Sequence, residues 1–304
     1  MIHLVTGGAG FIGSNLVRAL LDRGDEVRVI DNLSTGRAEN LKGLELEFLL
    51  GSILEGHPLH RLMLGVDTVF HLAAQVSASE SISHPNHAHR VNVSGTRNIL
   101  HTAEQAGVRK VVLSSSCAVY GTPAQTPTPE SHPARPQSPY AESKLHAEQL
   151  LLSHPYLDTV ALRYFNVYGP HQSPTSSYSA VVPAFLQAAL LRDPIVLEGD
   201  GTQSRDFVFV SDVVQANLLA AKAATFPGEV FNVGTGLETT LLELLCVIEH
   251  LFDFPIQVRY AKGREKDLPR SVAGLTQVQK RLGFRPSVML YDGLSKTLDW
   301  MRSP

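Results

Sequence analysis

Residues 5–13 read VTGGAGFIG and overlap an apolar run, IHLVT, that occupies residues 2–6. Gly7, Gly10 and Gly13 fall at a spacing of three, between a segment that reads as a strand and one that reads as a helix. Glycines there let the backbone turn tightly and come close to a pyrophosphate, and the helix start adds open N–H groups and a partial positive charge. A glycine triplet alone says little. One directly behind an N-terminal strand, with an acid at the end of the next strand, says much more. Asp31 is that acid, closing the run VRVID at 27–31. A carboxylate there accepts from adenosine ribose hydroxyls and repels a 2′-phosphate, so the pattern predicts NAD rather than NADP. Arg37 is the neighbour that would argue for a 2′-phosphate.

Further apolar runs predict strands at 46–50, 68–72, 110–114, 159–164 and 229–233. Helical patterns lie near 12–23, 91–106, 140–153 and 211–224. Several strands are apolar on both faces, as in a parallel sheet covered by helices on both sides. Strand–helix alternation predicts an α/β fold with a doubly wound parallel sheet, a Rossmann fold of about seven strands. Residues 1–166 with 207–233 are expected to form the NAD-binding domain. Residues 167–206 and 234–304 follow the rhythm less well, and are expected to form a smaller substrate-binding lobe. The stretch 122–139 carries six prolines, at 123, 127, 129, 133, 136 and 139. A strand precedes it and a helix opens near Pro139, so it reads as a structured surface loop rather than a linker.

The chain has 304 residues, 43% hydrophobic and 18% charged, with a net charge of −3, in the range of soluble globular proteins. No Lys/Arg run suggests a nucleic-acid or membrane partner. Cys117 and Cys246 are the only cysteines and make no disulfide framework, which points to a reducing, cytoplasmic location. There is neither a basic leader nor an apolar run of ~18 residues that could span a bilayer.

Two further stretches carry chemistry. VVLSSSCAVYG at 111–121 ends a strand in three serines, at the edge where a doubly wound sheet binds ligands. SPYAESK at 138–144 sets Tyr140 one helical turn before Lys144. A free phenol titrates near ~10, too high for a base at neutral pH. A neighbouring ammonium and the positive nicotinamide ring would stabilise the phenolate. A serine could hold the substrate oxygen whose proton Tyr140 takes. These are the parts an alcohol oxidation needs.

Taken in order, VTGGAGFIG, DNLSTG, HLAAQ, SSSCAVYG, PYAESK, LRYFNVYGP and GDGTQSRDFVFV resemble the extended short-chain dehydrogenase/reductases, and within them the nucleotide-sugar 4-epimerases of the UDP-glucose 4-epimerase type. The resemblance covers residues 1 to about 290. It implies that Ser116 is the catalytic hydroxyl, Tyr140 the base and Lys144 its partner. It implies NAD contacts from Gly7, Gly10, Phe11, Ile12, Gly13, Asp31, Asn32, Ser34, Gly36, Ser52, Ile53, Leu72, Ala73, Ala74, Gln75, Ser114 and Tyr164, as well as Tyr140 and Lys144. Ser52 departs from the family's usual aspartate and implies a weaker hold on the adenine amine. Substrate contacts are implied for Ser116, Tyr140, Asn166, Val181, Arg205, Arg264, Asp267 and Ser271. Arg205 and Arg264 would clamp the diphosphate, and Asp267 would take a uridine ribose hydroxyl.

The implied reaction is a transient oxidation at C4 of a UDP-hexose. Hydride passes to NAD and returns to the opposite face of the 4-keto sugar. The 4,6-dehydratases carry an Asp-Glu pair where Cys117 and Ala118 stand, decarboxylases a glutamate at Ala118, and uronate epimerases a threonine at Asn166. Those three activities are the runners-up. A non-catalytic NAD-binding regulatory protein is the alternative from another class. Ser271 is small at a position bulky in epimerases restricted to glucose and galactose, so UDP-GlcNAc and UDP-GalNAc are expected alongside UDP-glucose and UDP-galactose. PTSSYSAVVPAF, VVQANLL and TGLETTL point to the same branch. The resemblance also implies a homodimer paired through the helices at 91–106 and 140–153. His84, His87 and His89 lie in HPNHAHR and read as a polar loop rather than a metal site, since no cysteine or acid joins them.

Overall fold

The structure, a computed structural model, describes residues 1–174, 180–223, 228–263 and 268–303. Seven parallel strands form the central sheet: β1 (Ile2–Thr6), β2 (Glu26–Asp31), β3 (Glu47–Leu50), β4 (Thr68–His71), β5 (Lys110–Ser116), β6 (Asp158–Tyr164) and β7 (Glu229–Val233). Their spatial order is β7-β6-β5-β4-β1-β2-β3. The chain winds outward from β1 to β3, then restarts at β4 on the other side of β1. That reversal opens a crevice at the carboxyl ends of β1 and β4, where such sheets bind ligands. All seven strands read from the sequence are present, with ends shifted by a residue or two.

Two buried apolar clusters cover the two faces of the sheet. One gathers Leu16, Val17 and Leu20 of α1 (Phe11–Asp22) with Val5, Phe70, Val112, Leu162 and Phe231. The other gathers Ile99, Leu100 and Ala103 of α2 (Gly95–Gln105) with Leu4, Val69, Val111 and Ala161, and reaches Ala147 and Leu151 of α3 (Pro139–Leu152). The side chains of α4 (Val210–Lys222) return to the first face.

The segment before α2 departs from the reading. His84 ends one short helix, and Pro85–His89 is already helical. The chain then passes through one wider π turn at Arg90–Ser94 into α2. Such a turn inserts a residue and re-aims side chains; here it buries Asn92. The proline-rich loop is pinned rather than loose. Thr128 donates its N–H to the Val272 carbonyl at 2.8 Å and accepts from the Gly274 N–H at 2.8 Å. Ser138 then caps α3, its hydroxyl accepting from the Ala141 N–H at 3.2 Å, with Pro139 at the first helical position.

A third cluster lies beyond the carboxyl edge. Phe185, Leu186, Ile195, Leu197, Leu244, Leu245, Ile248 and Leu294 pack there with Tyr168, Phe207 and Phe209. Asn166–Tyr168 pairs in parallel with Phe207–Phe209, and Val208 alone of that strand turns toward the sheet cluster. Phe207 and Phe209, assigned from sequence to the NAD-binding part, pack their side chains into this third cluster.

Candidate active site at the carboxyl edge of the sheet

The phosphate loop is shaped by contact as much as by φ. Gly7 has φ +70°, and a Cβ there would sit 2.8 Å from the Ala73 nitrogen. A Cβ on Gly13 would sit 2.1 Å from the Gly7 carbonyl oxygen. The first glycine therefore admits the end of β4 against the loop, and the third seats α1 on it. Gly10 is the N-cap of α1 and offers no side chain to its N–H groups. That leaves the helix start available to an anion. The cradle has the shape a dinucleotide pyrophosphate requires, so the residues present fit NAD.

Asp31 is 7% exposed at the end of β2. Its Oδ2 accepts from the Ala9 N–H at 2.9 Å and its Oδ1 from the Leu33 N–H at 2.8 Å. Burial pushes its carboxyl above the usual range, against the lowering effect of those two bonds. The carboxylate thus ties the phosphate loop to the 31–36 turn, and each oxygen keeps a lone pair for a ribose hydroxyl. Asn32 Oδ1 accepts from the Ser34 N–H at 3.1 Å, and a Cβ on Gly36 would lie 3.0 Å from Asp31 Oδ2. Ser52 Oγ accepts from the Leu54 N–H at 3.2 Å. Ile53 is buried in the core, where a Cβ on Gly95 would meet its Cδ1 at 2.4 Å.

The end of β4 is held by a chain whose direction the partners decide. The Ala73 N–H donates to Thr6 Oγ1 at 3.1 Å, and Thr6 Oγ1 lies 2.8 Å from His71 Nδ1. On the other side His71 Nε2 lies 2.9 Å from Thr96 Oγ1, which donates to the Asn92 carbonyl at 2.6 Å. Thr96 has given its proton away, so Nε2 carries the imidazole hydrogen and Nδ1 accepts from Thr6. Burial and the Lys144 charge push His71 down to about 3, so the ring is neutral. Asn92 fixes the next residues: its Oδ1 accepts from the Gln75 N–H at 2.8 Å, and its Nδ2 donates to the Gln75 carbonyl at 3.0 Å and to Ser143 Oγ at 2.8 Å. Leu72, Ala73 and Ala74 are half-buried along this edge, while Gln75 is buried and gives its Nε2 to the Ser77 carbonyl at 3.0 Å. No motif announced Asn92; it needed the π turn.

Ser116 ends β5, paired in register with Tyr164, and its Oγ accepts from the Ala118 N–H at 3.2 Å. Lys144, 5% exposed, donates from Nζ to the Ser114 carbonyl at 2.8 Å. Burial pushes its ammonium down to about 8. Tyr140 is the second residue of α3, and its N–H donates to Ser81 Oγ at 3.0 Å. The tyrosine–lysine face of α3 is therefore docked against the serine end of β5. Tyr164 turns its hydroxyl to Asn217 Oδ1 at 3.0 Å, so only its ring is left for the nicotinamide side.

The segments around the third cluster carry the remaining residues. Asn166 keeps its Nδ2 buried and without a hydrogen-bond partner among the described residues. Arg205 donates from Nη1 to the Ser204 and Leu268 carbonyls, both at 2.7 Å, which fixes the plane of its guanidinium. Arg270–Ser271 pairs with Ser204–Arg205, and the Ser271 hydroxyl lies 4.0 Å from Cys117 Sγ. A residue from late in the chain thus meets the one directly after Ser116. Burial pushes the Cys117 thiol up to about 11. Asp206 anchors the assembly, accepting from the Thr235 N–H and hydroxyl, the Gly236 N–H and the Ala273 N–H at 2.6–3.1 Å. Its signal in the sequence is an acid set directly before the apolar run FVFV. Val181 opens the helix Val181–Leu191; Phe11 and Ile12, at the start of α1, pack against the lobe cluster. Arg264 and Asp267 lie outside the described residues. Among the described residues, no cluster of three or more His, Cys, Asp or Glu could hold a metal ion, and no helix is long and apolar enough to cross a membrane.

The family model described as NAD dependent epimerase/dehydratase matches residues 3–234. The UDP-glucose 4-epimerase of Mycolicibacterium smegmatis is 41% identical over 312 residues, covering 100% of this chain and 99% of the relative. The UDP-glucose 4-epimerase of Thermotoga maritima, solved with UDP-glucose, superposes with a TM-score of 0.95 at 37% identity and covers 99% of both chains. The UDP-N-acetylglucosamine 4-epimerase of Methanobrevibacter ruminantium, solved with UDP-N-acetylmuramic acid, superposes with a TM-score of 0.94 at 37% identity, covering 98% of this chain and 97% of that one. With the glycine cradle, the acid on β2 and the tyrosine–lysine pair on α3 all in place, this chain belongs to the NAD dependent epimerase/dehydratase family.

Proposed function

We propose that this protein is an NAD-dependent 4-epimerase of UDP-hexoses, acting on UDP-glucose/UDP-galactose and on the UDP-GlcNAc/UDP-GalNAc pair. The observation that carries the reading is the buried Lys144 ammonium, 2.8 Å from the Ser114 carbonyl and one helical turn from Tyr140. Bound NAD supplies a reversible hydride acceptor for C4. Lys144 favours the phenolate of Tyr140, which takes the C4 hydroxyl proton and later returns it. Ser116 holds the C4 oxygen. Asn166 faces the sugar or the diphosphate, Arg205 and Arg264 clamp the diphosphate, and Asp267 takes a uridine ribose hydroxyl. Dehydration or decarboxylation would need carboxyl groups where Cys117 and Ala118 stand; alanine has none, and burial pushes the Cys117 thiol up to about 11, so it keeps its proton at neutral pH and cannot serve as a base.

The sheet-centred part, 1–166 with 207–233, is assigned to the cofactor, and 167–206 with 234–304 to the nucleotide sugar. The working unit is a homodimer. Ser271, small and beside Cys117, leaves room for a 2-acetamido group. Incubation with UDP-glucose or UDP-GlcNAc plus NAD, read by NMR, should give the C4 epimer of each. Ser271→Tyr should abolish the second reaction and keep the first. A 4-keto-6-deoxy product would replace this reading with a dehydratase; bound NAD with no turnover would favour a regulatory role.

A further inference from the structure

Tyr140 and Lys144 have a third member on their face of α3. Glu148 stands one turn beyond Lys144 and is 2% exposed. Its Oε2 accepts from Ser115 Oγ at 2.9 Å and from Arg163 Nε at 3.0 Å, and its Oε1 accepts from Arg163 Nη2. A carboxylate this deep in the protein is worth its desolvation only if it fixes something. What it fixes is Ser115, the residue between the Ser114 carbonyl that receives Lys144 and the Ser116 hydroxyl.

The pair also reaches across the site. The Arg163 guanidinium lies 4.7 Å from the centre of the Tyr120 ring. Tyr120 donates its hydroxyl to Asn232 Oδ1 at 2.7 Å, and Asn232 Nδ2 donates to the Thr128 carbonyl at 2.9 Å and the Gly274 carbonyl at 3.2 Å. The Asn232 N–H donates in turn to Glu130 Oε1 at 3.0 Å. One satisfied network therefore joins α3, β5, β6, β7, the proline-rich loop and the segment that carries Ser271.

We infer that Glu148, through its ion pair with Arg163, is a positioning residue for the reaction: it sets the register between α3 and the end of β5, and so the distance from Lys144 and Tyr140 to Ser116. The inference rests on the epimerase reading. Fixed this way, Lys144 keeps its charge beside Tyr140; loosened, it drifts, and the phenol titrates higher. The network couples the same register to Ser271.

The test compares wild type with E148Q, S115A and the double variant E148M/R163M. For E148Q, kcat is expected to fall about 10-fold or more while KM stays within about 3-fold, and the rising limb of the pH–rate profile moves up by about one unit. S115A, which removes one bond and no charge, shifts the limb in the same direction by less. The tyrosine titration itself, taken as the near-ultraviolet difference between each protein and its Tyr140→Phe counterpart, should show the same upward shift and requires no turnover. Wild-type inactivity on both sugars would sink the epimerase reading, and the titration would still judge Glu148. Melting temperatures that fall while kcat, pH limb and tyrosine titration stay at wild-type values would reduce Glu148 to a structural role. If E148Q does not fold, S115A and the charge-neutral double variant decide by the same limb.

Discussion

Asp206→Asn isolates what the lobe anchor contributes. Asp206 is fully buried and only accepts: Oδ1 takes the Thr235 N–H and hydroxyl, and Oδ2 takes the Gly236 and Ala273 N–H groups. Asparagine has the same shape but must aim an NH₂ at one of those pairs. Aimed at the Oδ2 pair, it faces two backbone donors. Aimed at the Oδ1 pair, it faces one, because the Thr235 hydroxyl can rotate and accept. The second orientation costs less. It sets the part-buried Thr235 N–H against the amide's second N–H, so that both donors lack an acceptor, at about 1–3 kcal/mol together, and it weakens the two remaining bonds by removing the charge. A total of about 2–4 kcal/mol lowers the melting temperature by about 3–6 °C in a chain of this size. The structure further predicts where the damage goes. Ala273 is two residues from Ser271, and Asp206 is next to Arg205, so substrate binding suffers before cofactor binding. KM for the UDP-sugar should rise about 10-fold with NAD affinity unchanged. Thermal unfolding and steady-state kinetics check both numbers. A melting temperature within a degree or two of wild type would refute the donor count; a loss of NAD affinity equal to the loss of substrate affinity would refute the localisation.

Two other outcomes follow from the same kind of contact. Gly13→Ala places a methyl 2.1 Å from the Gly7 carbonyl oxygen, so the phosphate loop must move and NAD affinity should drop about 10-fold or more by calorimetry; unchanged affinity would mean that the loop is not the pyrophosphate cradle. His71 is neutral in the fold and titrates at about 3, against 6.5 when exposed. The unfolded chain thus takes up a proton that the native one refuses, and stability is lost as pH falls from about 6.5 toward 3, at up to about 1.4 kcal/mol per pH unit. His71→Gln should remove that slope from the pH dependence of denaturant unfolding, and an identical slope in both proteins would show that the ring is not held neutral.

The sequence by itself determined the sheet. Runs such as KVVLS and TVALRY are apolar on both faces, and no other arrangement buries both; the helices follow from their periodicity between such runs. It also determined the parts whose chemistry is local: a glycine triplet at a strand–helix junction, an acid closing β2, and a tyrosine one turn from a lysine can each be read within a short run of consecutive residues. The tertiary structure alone decided the rest, because those contacts join residues far apart in the chain. Ser271 reaches Cys117 only once Arg270–Ser271 has paired with Ser204–Arg205. Asn92 faces Gln75 and Ser143 only because a π turn rotates it inward. Glu148 and Arg163 read singly as ordinary surface ions; folding buries both beside Ser115, where a charge persists only when paired. Periodicity records which face of an element is apolar. Which polar group waits on the other side depends on how the elements are packed, and only the folded chain contains that information.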